Sequence, residues 1–437
     1  MAAESKPDIA CGRVFFARSL APMPGESSVT CALELTLATL RPVLDIIEQR
    51  VDDAEVPAWC SARGWDTYLL RLSDVELQRC ETFGLAQVAE SLPDLPSGLA
   101  ALATRVRTAS ALPMLATVAV GQTDEDMRGV SRRKQEQLSA LLGSLGTLVT
   151  AARRIVDVGA GSGHFTRLSA QHFSREAIGL ERNPERVARA NARAERSASS
   201  EFSAQFAVVD ALRDGLELRA DDLAIGLHAC GELGDTLVQA VADRGSDLVL
   251  VSCCLQKISA QERSALSRRA AGWLLSKDIL GLSNLTSQAI GVEASIEHNL
   301  AGRRARYGLR QLLRGRGLDI APNAEMAGIN RRRAQSGLAE IAARALEQRG
   351  LSPATPAEIA RYDAEAGLHY HAIRRLSLPR NMLARLVELS VVLDRAALLE
   401  ESGHFVRVAT LFDRRVTPRN ISLFASRDAS RLPALRT

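Results

Sequence analysis

Several features that define specialised classes of protein are missing from this sequence of 437 residues. No run of 18 apolar residues occurs, and the residues from Met1 to Lys6 lack the apolar core of a secretory signal. We therefore expect a cytoplasmic protein that does not bind membranes. Internal repeats and long low-complexity tracts are also absent, which argues against a repeat protein. Its apolar content of 46% and charged content of 24% are typical of globular domains, and its length allows two or three of them.

Cysteine and lysine are both scarce. The seven cysteines, an odd number without a regular framework, predict reduced thiols rather than disulfides. Arginine supplies most of the positive charge, because lysine occurs only as Lys6, Lys134, Lys257 and Lys277. The net charge of +4 is slight, so it indicates neither DNA nor RNA by itself.

The most informative motif covers residues 154 to 163. A strand-like segment, Arg154-Ile-Val-Asp-Val158, runs into Gly159-Ala-Gly-Ser-Gly163, and a helical pattern follows. A strand that turns through glycines into a helix lets the backbone approach a ligand and aims helix N–H groups at it. The dinucleotide pattern G-x-G-x-x-G would need its third glycine at the position of His164. With Asp157 two residues ahead of the first glycine, the D-x-G-x-G-x-G form instead resembles motif I of the class I S-adenosylmethionine-dependent methyltransferases.

Two later strands end in carboxylates. Glu181 closes an apolar strand 22 positions after Gly159, where an acidic residue can accept both ribose hydroxyl protons. Asp210 closes the next strand, and the resemblance to methyltransferases implies that it bonds the adenine amino group. Both could instead be solvated carboxylates at strand ends. The predicted cofactor-binding residues, for S-adenosylmethionine, are Asp157, Gly159, Gly161, Gly163, Glu181, Asp210 and His228.

The remaining strands define the fold class. Apolar strands at 223–227 and 248–251 continue a doubly wound parallel sheet, and strand-like segments at 404–411 and 421–425 predict a closing hairpin. The fold class is therefore α/β, with a mostly parallel seven-stranded methyltransferase sheet, a closing antiparallel hairpin, a large helical insertion and an amino-terminal α+β domain. An ordinary nicotinamide dehydrogenase does not close in this way. The sixth strand would be parallel, so the hairpin turn that follows it would lie at the ligand-binding edge of the sheet. We therefore expect Arg414, Arg415 and Arg419 in this turn to lie near the entrance of the substrate-binding site.

We predict four segments along the chain, namely an accessory domain (1–125), the methyltransferase core (126–257), a helical insertion on the substrate side (258–402) and the closing hairpin (403–437). The first segment predicts a strand at 13–17, helices at 32–50 and 66–84 and a polar link at 121–126, before a helix at 132–145. Capping boxes at 259–262 and 355–358 begin helices of the insertion. A long amphipathic helix at 379–401 ends it before Gly403.

Four motifs together identify a narrower resemblance. The chain resembles the methyltransferase-like family that includes the glutathione S-transferase C-terminal domain-containing proteins, and it is more distantly similar to tRNA 2′-O-methyltransferases. The resemblance covers about residues 130 to 430. The motifs that carry it are Asp157-Val-Gly-Ala-Gly-Ser-Gly-His-Phe165, Gly226-Leu-His-Ala-Cys-Gly-Glu-Leu233, Val251-Ser-Cys-Cys-Leu-Gln-Lys257 and Thr417-Pro-Arg-Asn420.

The catalytic candidates are His228, Cys230, Cys253 and Cys254. His228 follows the fourth strand, where methyltransferases place residues that contact the donor methyl and the acceptor. A neutral imidazole could take a proton from a hydroxyl or amine, although an orienting or merely hydrogen-bonded histidine fits equally well. The cysteines could pack as small apolar groups, supply a thiolate that attacks a pyrimidine, or bind zinc with His228. Because adjacent cysteines ligate one tetrahedral metal awkwardly, we assign no metal.

Arginines crowd the middle of the insertion. Their spacing places Arg303, Arg306 and Arg310 on one helical face, which could grip RNA phosphates or could simply be solvated. With Arg419, these three are the substrate-binding candidates. The sequence therefore predicts an S-adenosylmethionine-dependent methyltransferase whose substrate and partner is RNA, either tRNA or rRNA. A protein or small-molecule acceptor is the second interpretation, and a non-catalytic protein that binds the cofactor is the third.

Overall fold

A computed structural model describes residues 28–118, 120, 130–196, 204–287, 293–321, 324–413, 416–417 and 419–436. The predicted strand at 13–17, the link at 121–126, Arg414 and Arg415 lie outside these ranges. No helix within them is both long and apolar enough to cross a lipid bilayer. The strands are β1 (Arg154–Val158), β2 (Glu176–Glu181), β3 (Ala204–Val208), β4 (Asp222–Ala229), β5 (Asp247–Ser252), β6 (Glu262–Ser264), β7 (Leu274–Ser276), β8 (Phe405–Thr410) and β9 (Ile421–Ser426).

Helices make up most of the remaining structure. They are α1 (Ser28–Leu40), α2 (Leu44–Glu48), α3 (Ala58–Ala62), α4 (Asp66–Arg71), α5 (Asp74–Phe83), α6 (Leu85–Val88), α7 (Ser97–Ala109), α8 (Arg132–Leu142), α9 (Gly146–Ala151), α10 (His164–Phe173), α11 (Pro184–Arg196), α12 (Ala211–Asp214), α13 (Glu232–Arg244), α14 (Lys277–Leu282), α15 (Glu293–Gly315), α16 (Leu338–Glu347), α17 (Pro356–Leu376), α18 (Leu378–Met382) and α19 (Ala384–Glu401).

Contacts divide the chain into two compact units. The sheet unit contains the described residues of 28–42, 106–287 and 384–436, and the helical unit contains those of 43–105 and 293–383. The four segments predicted from the sequence stay a prediction. The core of the helical unit lies between α15, α16 and the start of α17, where Leu309, Leu312, Ile341 and Leu346 are fully buried.

A seven-stranded sheet forms the centre of the sheet unit, with the strand order β3-β2-β1-β4-β5-β9-β8. Strands β1 to β5 run parallel, and β9 is antiparallel to both β5 and β8. The order reverses between β1 and β4, so their carboxyl ends form the crevice in which ligands bind to open α/β sheets. All six residues of β5 are buried, as expected for a strand covered on both faces. This mostly parallel seven-stranded sheet confirms the predicted α/β fold class.

The last helix of the insertion differs from the prediction. The long amphipathic helix expected at 379–401 is wrong, because α18 and α19 are separate helices with Leu383 between them. Helix α19 is also not amphipathic, since residues 386–397 are all buried. It packs against α1, α13 and β8, so its buried residues lie on every side of the helix and include the charged Glu388, Asp394 and Arg395. Its end before Gly403, which has a φ of +86°, agrees with the prediction.

The two predicted capping boxes have opposite outcomes. Thr355 and Glu358 form the expected reciprocal bonds at the start of α17. The box predicted at 259–262 is wrong, because the carboxylate of Glu232 accepts bonds from both the backbone N–H and the hydroxyl of Ser259, at 2.7 and 2.8 Å. Glu262 then begins β6, which pairs with β7, so the insertion is less helical than predicted.

Candidate active site

The glycine loop, residues 159–163, joins β1 to α10. Gly159, Gly161 and Gly163 have φ angles of +77°, +60° and +74°, in the left-handed region that favours glycine. At Gly163 the tertiary structure also demands glycine, because a Cβ there would lie 2.5 Å from the ring of Phe206. The loop is anchored to the neighbouring strand, since the N–H groups of Gly159 and Ala160 both donate to the carbonyl of Leu180. The predicted strand–loop–helix geometry is therefore present.

Glu181 is a buried carboxylate, not a solvated one. It lies at the end of β2, with 8% of its surface exposed. Its Oε2 accepts the N–H of Gly161 at 3.0 Å, and its Oε1 accepts the N–H of Asn183 at 3.0 Å. Each carboxylate oxygen has a second lone pair, so Glu181 could fix the glycine loop and still accept a ligand's hydroxyl.

The other two predicted cofactor carboxylates have different surroundings. Asp157 is buried in β1, where its Oδ2 accepts the hydroxyl of Thr166 at 2.6 Å. Burial raises the pKa of Asp157 to about 6. Asp210 is half-buried two residues beyond the end of β3, and its Oδ1 accepts the N–H of Leu212 at the start of α12. Asp157 thus ties β1 to α10 beneath the glycine loop, whereas Asp210 stays accessible. Their contacts with a cofactor remain predictions.

His228 lies in a bulge near the end of β4. The pairing between β4 and β5 shifts at this residue, and its φ is +67°, which is strained for a residue with a side chain. Its Nε2 lies 3.3 Å from Oε1 of Gln137 on α8. Burial, together with the charges of Lys134, Arg133 and other cations, lowers the pKa of His228, so the imidazole is neutral at neutral pH.

The cysteines do not form the expected set of free thiols. Cys230 follows β4 and Cys253 follows β5, and the two are joined as a disulfide with Cα atoms 5.2 Å apart. The prediction of reduced thiols throughout is therefore wrong at this pair, because the bulge at His228 brings two strand ends together that the sequence separates by 23 residues. Cys254 is a free, half-buried thiol beside them.

The predicted arginine face on α15 is occupied by other groups of the helical unit. Arg306 donates to Glu325 through Nε at 3.0 Å, and buried Arg310 donates to the backbone carbonyl of Asp52. Arg303 bonds to Tyr370. The prediction that this face is free to bind phosphates is therefore wrong for Arg306 and Arg310. Internal partners already neutralise or orient their guanidinium groups.

Arg419 lies in the sheet unit, in the connection between β8 and β9. It is 8% exposed, and its guanidinium donates to Oδ1 of Asn284 at 2.6 Å and faces Glu388 at 3.8 Å. The positive charge of Arg419 also acts on His228, so the hairpin connection does contribute to the candidate site.

Sequence reasoning missed the contribution of α8. Gln137 contacts His228, Arg133 donates to the hydroxyl of Thr417 at 3.2 Å, and Lys134 is exposed. The charge of Lys134 acts on three groups of the site, Asp157, His164 and His228. The cluster Ser131-Arg-Arg-Lys-Gln-Glu136 just before the glycine strand was the available signal.

A comparison with protein families identifies this region. Residues 133–261 match the family described as a methyltransferase domain. The matched span contains the glycine loop, Glu181, His228 and the three cysteines. Residues 133–261 are thus similar to a methyltransferase domain. The geometry is compatible with S-adenosylmethionine, the cofactor predicted from the sequence, because three residues of the loop are glycines without side chains and the carboxylate of Glu181 bonds to the loop from β2.

Solved structures with local similarity are also methyltransferases. A magnesium protoporphyrin IX methyltransferase from Synechocystis PCC 6803 with bound S-adenosylhomocysteine is 18% identical, with a TM-score of 0.24, over 30% of this chain and 61% of that one. A Podospora anserina methyltransferase is 16% identical, with a TM-score of 0.24, over 30% and 63%. A geranyl diphosphate C-methyltransferase from Streptomyces coelicolor A3(2) is 14% identical, with a TM-score of 0.24, over 32% and 57%. This chain spans about three fifths of the length of the first two.

Proposed function

We propose that this protein is an S-adenosylmethionine-dependent methyltransferase that acts on RNA, either tRNA or rRNA. The observation that carries the proposal is the position of neutral His228 at the ligand-binding edge of the sheet, with Arg133 and Lys134 beside it. A neutral imidazole can accept a proton from an acceptor group, and nearby cations favour an acceptor that carries negative charge.

The residues of the site have separate roles in methyl transfer. When bound, S-adenosylmethionine supplies an electrophilic methyl group on a sulfonium. Glu181 and Asp210 hold the ribose and the adenine, and the glycine loop fixes the methionine end. Gln137 orients the ring of His228, because an Nε2–H that donates to its Oε1 leaves Nδ1 with a lone pair for the acceptor's proton.

The RNA assignment rests on α8 and not on α15. Arg306 and Arg310 have internal partners, so they do not supply the phosphate contacts. Lys134 is exposed, and its charge acts on groups of both the glycine loop region and β4. It is therefore suited to contact a phosphate of an RNA whose target nucleotide lies at His228.

Transfer of a labelled methyl group tests the function. Tritiated S-adenosylmethionine is incubated with the purified protein and extract from cells that lack it, and RNA and protein fractions are counted separately. We expect label in RNA, and none with the Gly161→Asp variant, whose carboxylate would face that of Glu181. Label in protein supports a polypeptide acceptor instead. Absence of label from both, despite binding of S-adenosylhomocysteine, supports a small acceptor or a non-catalytic role.

The salt dependence of RNA binding tests the basic group. We expect Lys134→Ala to lower the slope of log K against log salt by about 1, which corresponds to one lost phosphate contact. Arg189→Ala is the matched control, because Arg189 is an exposed arginine on α11 of the same unit. An equal effect of both changes would show that only net charge matters. Calorimetric titration with S-adenosylhomocysteine and with NAD checks the cofactor independently.

A further inference from the structure

Three cysteines meet at the carboxyl ends of two neighbouring strands. We call Cys230, Cys253 and Cys254 the cysteine cluster. Strands β4 and β5 run parallel, so the turns that follow them lie at the same edge of the sheet. The bulge at His228 adds one residue to β4, which brings Cys230 level with Cys253. The topology therefore assembles the cluster from segments that are distant in the sequence.

The side chains of the cluster converge on one small volume. The sulfurs of Cys230 and Cys253 lie 3.2 and 3.3 Å from the same atom, the carbonyl oxygen of His228. All three sulfurs lie within 4.8 Å of one another. The expected difficulty with adjacent cysteines thus does not arise here, because the sulfurs of Cys253 and Cys254 lie within 4.8 Å of each other and of the sulfur of Cys230.

One soft metal ion can reach all three sulfurs once the Cys230–Cys253 disulfide is reduced. Zinc binds thiolates at about 2.3 Å, so that two sulfurs on one tetrahedral ion are about 3.8 Å apart. We propose that the reduced cysteine cluster binds one zinc ion through three thiolates. Three protein ligands leave a fourth coordination position, which water or another ligand can occupy.

The surroundings of the cluster favour the negative charge of a zinc–thiolate group and allow the ion to enter. A zinc ion with three thiolates carries a net charge of −1, and the positive charges that act on neighbouring His228 belong to Lys134, Arg133 and Arg419. All three cysteines are only half-buried, so an ion can enter without unfolding of the sheet.

The disulfide and the metal site exclude each other. A thiol reductant transfers two electrons to the Cys230–Cys253 disulfide, which takes up two protons and becomes two thiols, while the reductant becomes a disulfide. Zinc binding then releases the three thiol protons, because the ligands are thiolates. The cluster therefore has an oxidised state without metal and a reduced state that binds zinc.

Zinc content of the whole protein tests the proposal. The chain is reduced with a phosphine, loaded with zinc, passed through a desalting column and analysed by mass spectrometry for metals. We expect one zinc per chain. Separate Cys253→Ser and Cys254→Ser variants should each lose the ion, with affinity lower by at least about 100-fold, the upper end of what loss of an outer-shell partner costs. Cys31→Ala is the matched control, a half-buried cysteine on α1 of the same unit, and should keep the ion.

Binding of S-adenosylhomocysteine shows whether each variant is folded. A reduced wild type that binds this ligand but holds no zinc would overturn the proposal. Zinc that persists in both cysteine variants would overturn it as well, because the ion would then lie elsewhere. Cobalt provides a second readout, since thiolate-to-cobalt absorption should fall with each cysteine removed. None of these measurements uses methyl transfer, so their outcome is independent of the proposed function.

Discussion

The carboxylate of Glu181 accepts a hydrogen bond from the backbone N–H of Gly161 at 3.0 Å, which joins the end of β2 to the centre of the glycine loop. A second bond to the N–H of Asn183 holds the other oxygen. One buried side chain therefore fixes the glycine loop, and the proposed function gives the same side chain the ribose as a second partner. If both roles hold, Glu181 should be sensitive to a change of charge even when its shape is kept.

Replacement of Glu181 should weaken cofactor binding. We expect Glu181→Ala to lower the affinity for S-adenosylhomocysteine by roughly 2 kcal/mol, about 30-fold, because the ribose hydroxyls and the N–H of Gly161 lose a charged acceptor. Glu181→Gln should lose less, since the amide oxygen still accepts one bond. Calorimetric titration measures both. Glu185→Gln, at an exposed carboxylate on α11, is the control, and an affinity of Glu181→Ala equal to this control would contradict the ribose role.

Gly163 should tolerate no side chain. Gly163→Ala combines a φ of +74° with a Cβ placed 2.5 Å from the ring of Phe206, so we expect the free energy of unfolding to fall by about 1–3 kcal/mol. Thermal unfolding measures the change as a lower midpoint.

The control for this substitution is Gly281→Ala in α14. Gly281 has no atom within 4 Å of a built Cβ and does not have a positive φ. Alanine there should stabilise the protein by about 0.5–1 kcal/mol, because it reduces the entropy of the unfolded chain. If both alanine variants change stability in the same direction, the steric argument at Gly163 is wrong.

What the sequence could and could not predict follows from the range of the interactions. The strands around the glycine loop and the position of Glu181 were predictable, because periodicity and spacing are local signals. The partners of the arginines were not, since Arg310 bonds to Asp52, 258 residues away. The disulfide required the bulge at His228, which shifts the register between β4 and β5 and leaves no local pattern. Burial of α19 on all sides similarly depends on neighbours from distant parts of the chain.

Asp157 should make stability fall as pH rises. Burial raises the pKa of Asp157 to about 6 in the folded protein, whereas an aspartate in the unfolded chain has a pKa of about 4. Between these values the folded state binds more protons than the unfolded state, so the free energy of unfolding decreases with increasing pH. The shift of about two pKa units corresponds to about 3 kcal/mol above pH 6.

Asp157→Asn should remove this dependence while it keeps an oxygen that can accept the hydroxyl of Thr166. We expect the variant and the wild type to differ little at pH 4 and the variant to be more stable at pH 7.5. Denaturant titrations at several pH values measure the difference. His164 contributes with the opposite sign, since burial lowers its pKa to about 4, so the comparison is made between proteins at equal pH. Parallel pH profiles of the two proteins would contradict the assignment to Asp157.

Arg395 on α19 connects the two turns that carry the catalytic candidates. Its fully buried guanidinium donates to the backbone carbonyl of Gly231 at 2.7 Å, to the hydroxyl of Ser252 at 2.6 Å and to Asp235 at 2.8 Å. Gly231 follows Cys230, and Ser252 precedes Cys253. A single side chain from the insertion thus positions the ends of β4 and β5.

Removal of this guanidinium should be strongly destabilising. Arg395→Met leaves the hydroxyl of Ser252 and part of the charge of Asp235 without their guanidinium partner in a buried region, so we expect a loss of about 3–5 kcal/mol in the free energy of unfolding. Arg189→Ala, which breaks an exposed ion pair with Glu185, should change stability by less than about 0.5 kcal/mol. Urea titrations of both variants measure the contrast. If Arg395→Met were as stable as the wild type, Arg263, which also contacts Asp235, would have to neutralise that carboxylate alone.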